Sequence, residues 1–594
     1  MSRPPRALRA LPPEGASHAF GRPGGVMRRR DFAALGLSGL ALPALAQDTS
    51  FDKLTETFLE ALWLLDADAA VAAGRFEFAP KITLPDTGHR GLMKTFLQRS
   101  LDDFERVPEA SLTVSQRMDR ALLIGKIRSD LWRLHTLREW AWNPSEHNPA
   151  GPLDLLLNTD YAPLPERLAA LKPRIAALPA YYRAAQASLA DVTREHTELA
   201  IQQAPGVIGV LDDIARRAAE AGQAAAWRSP LAQARAAVQG YVAHLKHLLP
   251  TAKRSWRLGA ELYEPKFAHD IQSARSARET CELALQRREE VLASMQAQAA
   301  ALWPTVIGSE PPPADRFALI GRVIGKLSER HVARERFVDE IRAQIPQLEA
   351  WVRDHDLLTQ DASKPLAVRE TAVYQRGVAG ASIEAPGAYR PQDRTYYNVT
   401  PLDDLSPAEA ESSLREYNHW ILQILNIHEA IPGHYTQLVY ANRAPSKVKA
   451  LFGNGAMVEG WAVYGERMMI EGGYGAQNGE GAEMTLMWGK WHLRSVTNTI
   501  LDYSVHVLGM TQKDALDLLV RQAFQTEREA AEKWRRVQLT SVQLTSYFSG
   551  YSEIFALREQ LKARPGFSLK AFHEAFLSYG NAPVRLIAAE MLKG

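Results

Sequence analysis

Two histidines six positions apart constrain this chain more than any other feature. They lie in His428-Glu429-Ala430-Ile431-Pro432-Gly433-His434, and Glu459-Gly460-Trp461-Ala462 follows. On a continuous α-helix, residues i and i+4 share a face, whereas i and i+6 are turned about 240° apart. The two imidazoles therefore converge only if the helix breaks between them. Pro432 and Gly433 stand at that place. Proline removes a backbone donor and clashes with the preceding turn, and glycine accepts dihedrals closed to other residues. A helix is predicted over Pro407–Ala430, opened by the capping box Ser406-Pro407-Ala408-Glu409 with proline at its first position. His428-Glu429 falls near its C-terminal end.

Two imidazoles and a distant carboxylate can hold zinc and leave a fourth position open for water. Glu429, beside the first histidine, is placed to take that water's proton. The expected ligands are His428, His434 and Glu459, with one Zn2+ per chain, although such a donor set also admits other divalent ions. Glu466 lies one heptad after Glu459 on roughly the same helical face. It is expected to hold a ligand imidazole from behind, or to be the third ligand itself. The opposing reading makes His428 and His434 capping or core histidines and leaves the two glutamates solvated. His573-Glu574 shows how little a bare His-Glu pair means, since no second histidine follows it.

The 594 residues are 46% apolar and 23% charged, an ordinary globular composition. The net charge of +2 and the lack of a long basic stripe argue against nucleic acid. One cysteine, Cys281, excludes an internal disulfide and a cysteine-rich zinc module, and reads as a small core residue. From Met27 the chain reads MRRRDFAALGLSGLALPALAQ, with Arg29-Arg30-Asp31-Phe32 resembling a twin-arginine signal. Its apolar run, Phe32–Leu42, is shorter than the roughly 20 residues of a spanning helix. Ala44-Leu45-Ala46 is a small-residue cleavage site, so the mature chain is expected from Gln47, periplasmic or secreted and without a stable membrane anchor. Residues 1–26 read as an over-called start or a disordered extension. Cys281 lies far from the cleavage site, which gives no support to a lipid-anchored mature cysteine.

Apolar residues at three- and four-residue steps predict helices over Phe51–Ala73, Arg167–Leu189, Val207–Gly222, Leu231–Leu249, Ala277–Trp303 and Arg316–Asp354. Loops are expected at Asn143–Pro152 and Ser309–Pro313. After about residue 365 the texture changes. Glu370–Val378 and Arg394–Val399 are β-branched and aromatic, which predicts a small sheet or hairpin. Helices resume at Ala456–Glu471, Glu480–Leu508, Thr511–Thr526, Arg528–Lys562 and Leu569–Tyr579. The expected architecture is mainly α, a large helical fold with a small sheet or hairpin beside the active-site helix. Its regions are an extension and signal over 1–46, a helical part over 47–365 and a metal-binding catalytic part over 366–594.

Several stretches, namely TYYNV (395–399), HEAIPGHYTQ (428–437), EGWAVYGE (459–466), DYSVHVLGMT (502–511), QLTSYFSG (543–550) and FHEAFLSYG (572–580), carry a family resemblance. In order and spacing the chain resembles a bacterial family of exported metallopeptidases, domain of unknown function eight-eight-five, over roughly 50–592. The resemblance implies a mainly helical, gluzincin-like fold with zinc. Ser504 departs from it, because many members carry glycine two residues after the Asp502 equivalent.

The resemblance draws attention to further residues. Asp502 and His506 are i, i+4 on one face, so the carboxylate is expected to orient the imidazole. His506 and Tyr547 become expected donors to a developing oxyanion. Arg494 is a candidate for binding a substrate carboxylate through a bidentate pair. Tyr397 and Asn398, in the extended segment Thr395–Val399, are expected to hold a peptide added as a strand to a sheet edge. Each also reads as an ordinary buried, hydrogen-bonded side chain. The expected reaction is hydrolysis of a peptide bond by metal-activated water with Glu429 as general base. The helical part before residue 365 is expected to wall a deep cleft. One alternative is a zinc hydrolase of another amide, such as a cell-wall peptide or an acylated amino acid. A second is a non-catalytic helical binding protein.

Overall fold

Long helices follow the apolar spacing through the first half of the chain. The structure, a computed structural model, describes residues 50–593 apart from 362, 365, 372–379, 386 and 444–445. The expected signal segment lies outside the described residues, as does most of the expected strand Glu370–Val378. Two units are distinguished, Met1–Leu54 and Thr55–Gly594. Only Ser50–Leu54 of the first are described, and they enter the helix Phe51–Leu65. All that follows concerns the second.

Helices α1 (Leu164–Ser188), α2 (Arg194–Glu220) and α3 (Ala224–Leu248) pack against one another and bury the leucine, isoleucine and valine stripes that predicted them. Cys281 is buried on α4 (Ala277–Val306). Among the described residues no helix is long and apolar enough to cross a membrane.

Several expected helices are interrupted, each where a group outside the helical ladder offers the backbone a partner. Phe51–Ala73 breaks at Asp66, whose carboxylate caps Ala69 N–H. Arg316–Asp354 divides into α5 (Arg316–Leu327) and α6 (Phe337–Asp354), and the carbonyl of Arg330 between them accepts from His419 N–H. Pro407–Ala430 divides into α7 (Pro407–Glu416) and the site helix α8 (His419–Glu429). Asn418 Oδ1 accepts from Trp420 and Ile421 N–H, a cap that asparagine makes far better than it sits in a helix interior. Part of the expected loop Asn143–Pro152 is already helical, since Ala150–Asn158 begins within it.

The expected small sheet is present and has three strands. Strand β1 (Ala367–Glu370) runs parallel to β3 (Tyr396–Val399), and β2 (Ala381–Glu384) pairs antiparallel on the other side. This corrects the expectation that a peptide would add to Tyr396–Val399, because β3 is central and both of its edges are already paired. The sheet is tied to the site helix through Tyr397 Oη, which donates to Asn426 Oδ1 at 2.9 Å.

Beyond the sheet come α9 (His434–Arg443), α10 (Gly455–Glu471) and α11 (Gly481–His506). They are followed by α12 (Glu527–Leu539) and α13 (Ser546–Lys562). The expected helix Arg528–Lys562 is split into these last two around Val542, whose N–H is taken by the Asp502 carboxylate. Helix α11 is buried on nearly every face and packs on α4, α8, α10 and α13, as an all-round buried helix in a large core does. It forms the wall behind α8 and α10, where the metal-ligand candidates lie.

Candidate metal centre

The interruption between the two histidines is real. Helix α8 ends at Glu429 and α9 begins at His434. The turn closes through Ala430 and Ile431 N–H to the Asn426 carbonyl and Gly433 N–H to the Ile427 carbonyl. Gly433 passes so close to α8 that an added Cβ would meet the His428 carbonyl oxygen at 1.8 Å. Glycine is required by this close approach, and the tight turn brings the second imidazole back beside the first.

The rings of His428 and His434 stand 4.7 Å apart and nearly perpendicular. Glu459 Oε2, from α10, lies 3.6 Å from His428 Nε2 and 3.4 Å from His434 Nε2. Zinc-to-donor distances of about 2.0–2.2 Å place tetrahedral donors roughly 3.3–3.6 Å apart. The three side chains offer one donor each within 4.8 Å of one another. Glu459 Oε2 is buried and makes no hydrogen bond among the described residues. The donor set and its spacing fit a small divalent cation.

The electrostatics are those of ligands held close together. Burial opposes charge on His428, but Glu459 and Glu466 outweigh it and raise its pKa well above the ordinary histidine value. Burial pushes Glu459 the other way from its two histidines, and the histidines win, holding its carboxyl well below the usual range.

Glu466 is fully buried and accepts from His428 Nδ1 at 2.7 Å. With Nδ1 committed to that bond, Nε2 is the nitrogen left to ligate. Trp491 Nε1 donates to the same Glu466 oxygen at 3.0 Å. Glu466 thus engages the His428 ring nitrogen other than the one beside Glu459. Glu429 is half-buried at the end of α8, and its charge acts on His428 and Tyr397. The Tyr547 ring, from α13, stacks 6.4 Å from His428, and its phenol makes no hydrogen bond among the described residues.

Other expected residues stand elsewhere. Asp502 does not orient His506. Its oxygens accept from Tyr263 Oη at 2.7 Å, Val542 N–H at 2.9 Å and Leu544 N–H at 3.3 Å. His506 Nε2 faces the carbonyls of Val537 and Thr540, and Nδ1 receives Leu258 N–H. Both residues stitch α11 to the segments that follow it. Tyr397 is fully buried, and Asn398 is bonded to Arg369 and Glu384, so neither offers a free group to a peptide. Arg494 contacts Glu529 and lies over the Trp491 ring at 4.9 Å, within the neighbourhood of the centre. Trp491 was not among the expected residues. Its signal is that α11 carries only four charges, Glu483, Lys490, Arg494 and Asp502, among 26 residues, which marks a core helix whose polar atoms must find partners.

The model of a bacterial protein family of unknown function, DUF885, matches residues 69–591. The chain belongs to DUF885. It is similar to the solved structure of a candidate lipoprotein of unknown function from Shewanella oneidensis. The two are 44% identical with a TM-score of 0.83, over 92% of this chain and 100% of that one. A candidate lipoprotein from Colwellia psychrerythraea shares the fold at a TM-score of 0.75 and 16% identity, over 92% of this DUF885 chain and 99% of its own. No curated protein matches.

Proposed function

We propose that this DUF885 protein is a zinc-dependent peptidase of gluzincin-like fold. The observation that carries the reading is the convergence of His428 Nε2, His434 Nε2 and Glu459 Oε2, with Glu429 beside them and Glu466 fixing the His428 tautomer. Zinc held by His428, His434 and Glu459 would supply Lewis acidity at neutral pH.

The chain's own groups do the remaining work. Glu429 takes the proton of the attacking water and later gives one to the leaving amine. Tyr547, stacked beside His428 with its phenol unengaged, donates to the developing oxyanion. Glu466 and Trp491 keep the His428 ring in place. His506 and Asp502 have no part in this reaction, because main-chain groups and the Tyr263 phenol already occupy them. The helical part before residue 365 restricts entry to short or unfolded peptides. The twin-arginine-like segment supports export, as does the description of two structural relatives as candidate lipoproteins.

The test combines elemental mass spectrometry with a peptide-library digest, on Gln47–Gly594, His434→Ala and Glu429→Gln. About one zinc per chain is expected, lost in His434→Ala and kept in Glu429→Gln, with cleavage lost in both. Zinc without cleavage would point to another amide, such as a muropeptide or acylated amino acid. No metal after zinc is supplied would leave a helical binding protein.

A further inference from the structure

Beside the metal centre, α7, α11 and α12 bury five charged side chains together. Lys490 Nζ lies 2.8 Å from Glu416 Oε2, Lys533 Nζ lies 2.9 Å from Asn498 Oδ1 and 3.9 Å from Glu529 Oε1, and Arg494 contacts Glu529. Among the described residues no other carboxylate is within ion-pair distance of the three cations. Three cations thus face two carboxylates. Burial weighs on this cluster, raising the pKa of Glu416 and lowering that of Lys533.

A buried uncompensated charge is costly, and an anion placed against it removes that cost. The cluster has one opening. The side chains of Glu416, Lys490, Glu529 and Lys533 are 13% exposed or less, whereas Arg494 is 25% exposed. Arg494 lies over the ring of Trp491, whose indole donates to Glu466 behind His428. A guanidinium that engages Glu529 and the Tyr417 phenol has five N–H groups, and so keeps some for a second carboxylate.

We infer that Arg494, backed by the excess of cations over carboxylates in this cluster, receives a carboxylate of the peptide substrate beside the metal centre. This rests on the peptidase reading and gives it a substrate class: peptides that present a carboxylate close to the cleaved bond. The carboxylate belongs either to the chain terminus or to an aspartate or glutamate side chain.

The experiment uses three N-acetylated peptides of one sequence containing a single glutamate: the free acid, its C-terminal amide, and the acid with glutamine for glutamate. Cleavage is followed on the zinc-loaded protein, and binding by calorimetry on zinc-loaded Glu429→Gln. One of the two neutralised peptides is expected to bind about ten-fold or more weaker than the free acid. The amide losing affinity assigns the terminal carboxylate, and the glutamine peptide losing it assigns the side chain. That preference should disappear in Arg494→Met. It should shrink in Lys533→Met, which removes the surplus charge while keeping the Arg494–Glu529 contact, and which serves if Arg494→Met does not fold. Equal binding of all three peptides to the parent protein, or a preference that survives both substitutions, overturns the inference. Failure to cleave any peptide would instead count against the peptidase reading, and the binding arm would still test the carboxylate site.

Discussion

Gly460 and Gly550 let two helices touch backbone to backbone. A Cβ on Gly460 would lie 2.4 Å from the Gly550 carbonyl carbon, and one on Gly550 would lie 1.7 Å from the Ala456 carbonyl oxygen. Glu459 precedes the first glycine, and Tyr547 stands one turn before the second. The crossing of α10 and α13 therefore holds the helix of a metal-ligand candidate against the helix of a proposed oxyanion donor.

Neither backbone contact can rotate away, so the crossing must open if either glycine gains a methyl. Gly550→Ala is expected to lower unfolding free energy by about 3 kcal/mol or more. Gly455→Ala, where an added Cβ meets nothing within 4 Å, is expected to be neutral or stabilising by about 0.5 kcal/mol. Urea unfolding of the two variants beside the parent decides it, and similar midpoints for all three would contradict the crossing.

Gly433→Ala tests the turn between the histidines. The added methyl would overlap the His428 carbonyl oxygen, so α9 cannot start where it does. Zinc binding should fall by at least about 100-fold, because the second imidazole no longer faces Glu459. Chelator competition measures it, and parental affinity in a folded variant would refute the close approach.

Glu466→Gln keeps an oxygen for His428 and Trp491 but removes the carboxylate that makes the imidazole a stronger ligand. Zinc affinity should drop about 10- to 100-fold while the far-UV spectrum stays unchanged. Trp491→Phe removes only the indole donor and should produce a smaller drop in the same assay. An unchanged affinity in both would mean that the carboxylate behind His428 is incidental.

His573, fully buried, has its pKa lowered to about 4 by desolvation, against a bond from its Nδ1 to the Leu357 carbonyl that acts the other way. The unfolded chain binds this proton near 6.5, so the unfolded state gains protons first as pH falls. Stability is therefore fully present above about pH 6.5 and declines toward pH 4, by about 3 kcal/mol from this group. His573→Gln should flatten the slope of unfolding free energy between those pH values. A slope identical to the parent's would remove His573 from the acid transition.

The cluster of His428, His434 and Glu459, the helix break and the mainly helical fold with a small late sheet were legible in the chain, because they rest on local rules. Helical periodicity, proline and glycine chemistry and the i, i+6 spacing all act within a few residues. The same rules misjudged helix ends wherever a distant group intervened, as Asp502 does at Val542 and Arg330 does at His419. They paired Asp502 with His506 because i and i+4 share a face, yet three donors from Tyr263, Val542 and Leu544 claim that carboxylate.

By itself the sequence determined that His428, His434 and Glu459 could form one site, since Pro432 and Gly433 leave the chain little other use for that spacing. Only the tertiary structure decided what surrounds it. Glu466 took its place behind His428, β3 became a central strand, and four charged side chains gathered around Arg494. Those outcomes depend on which helix faces cross, and crossing is set by long-range packing and by glycine contacts such as Gly460 with Gly550. No periodicity along the chain encodes them.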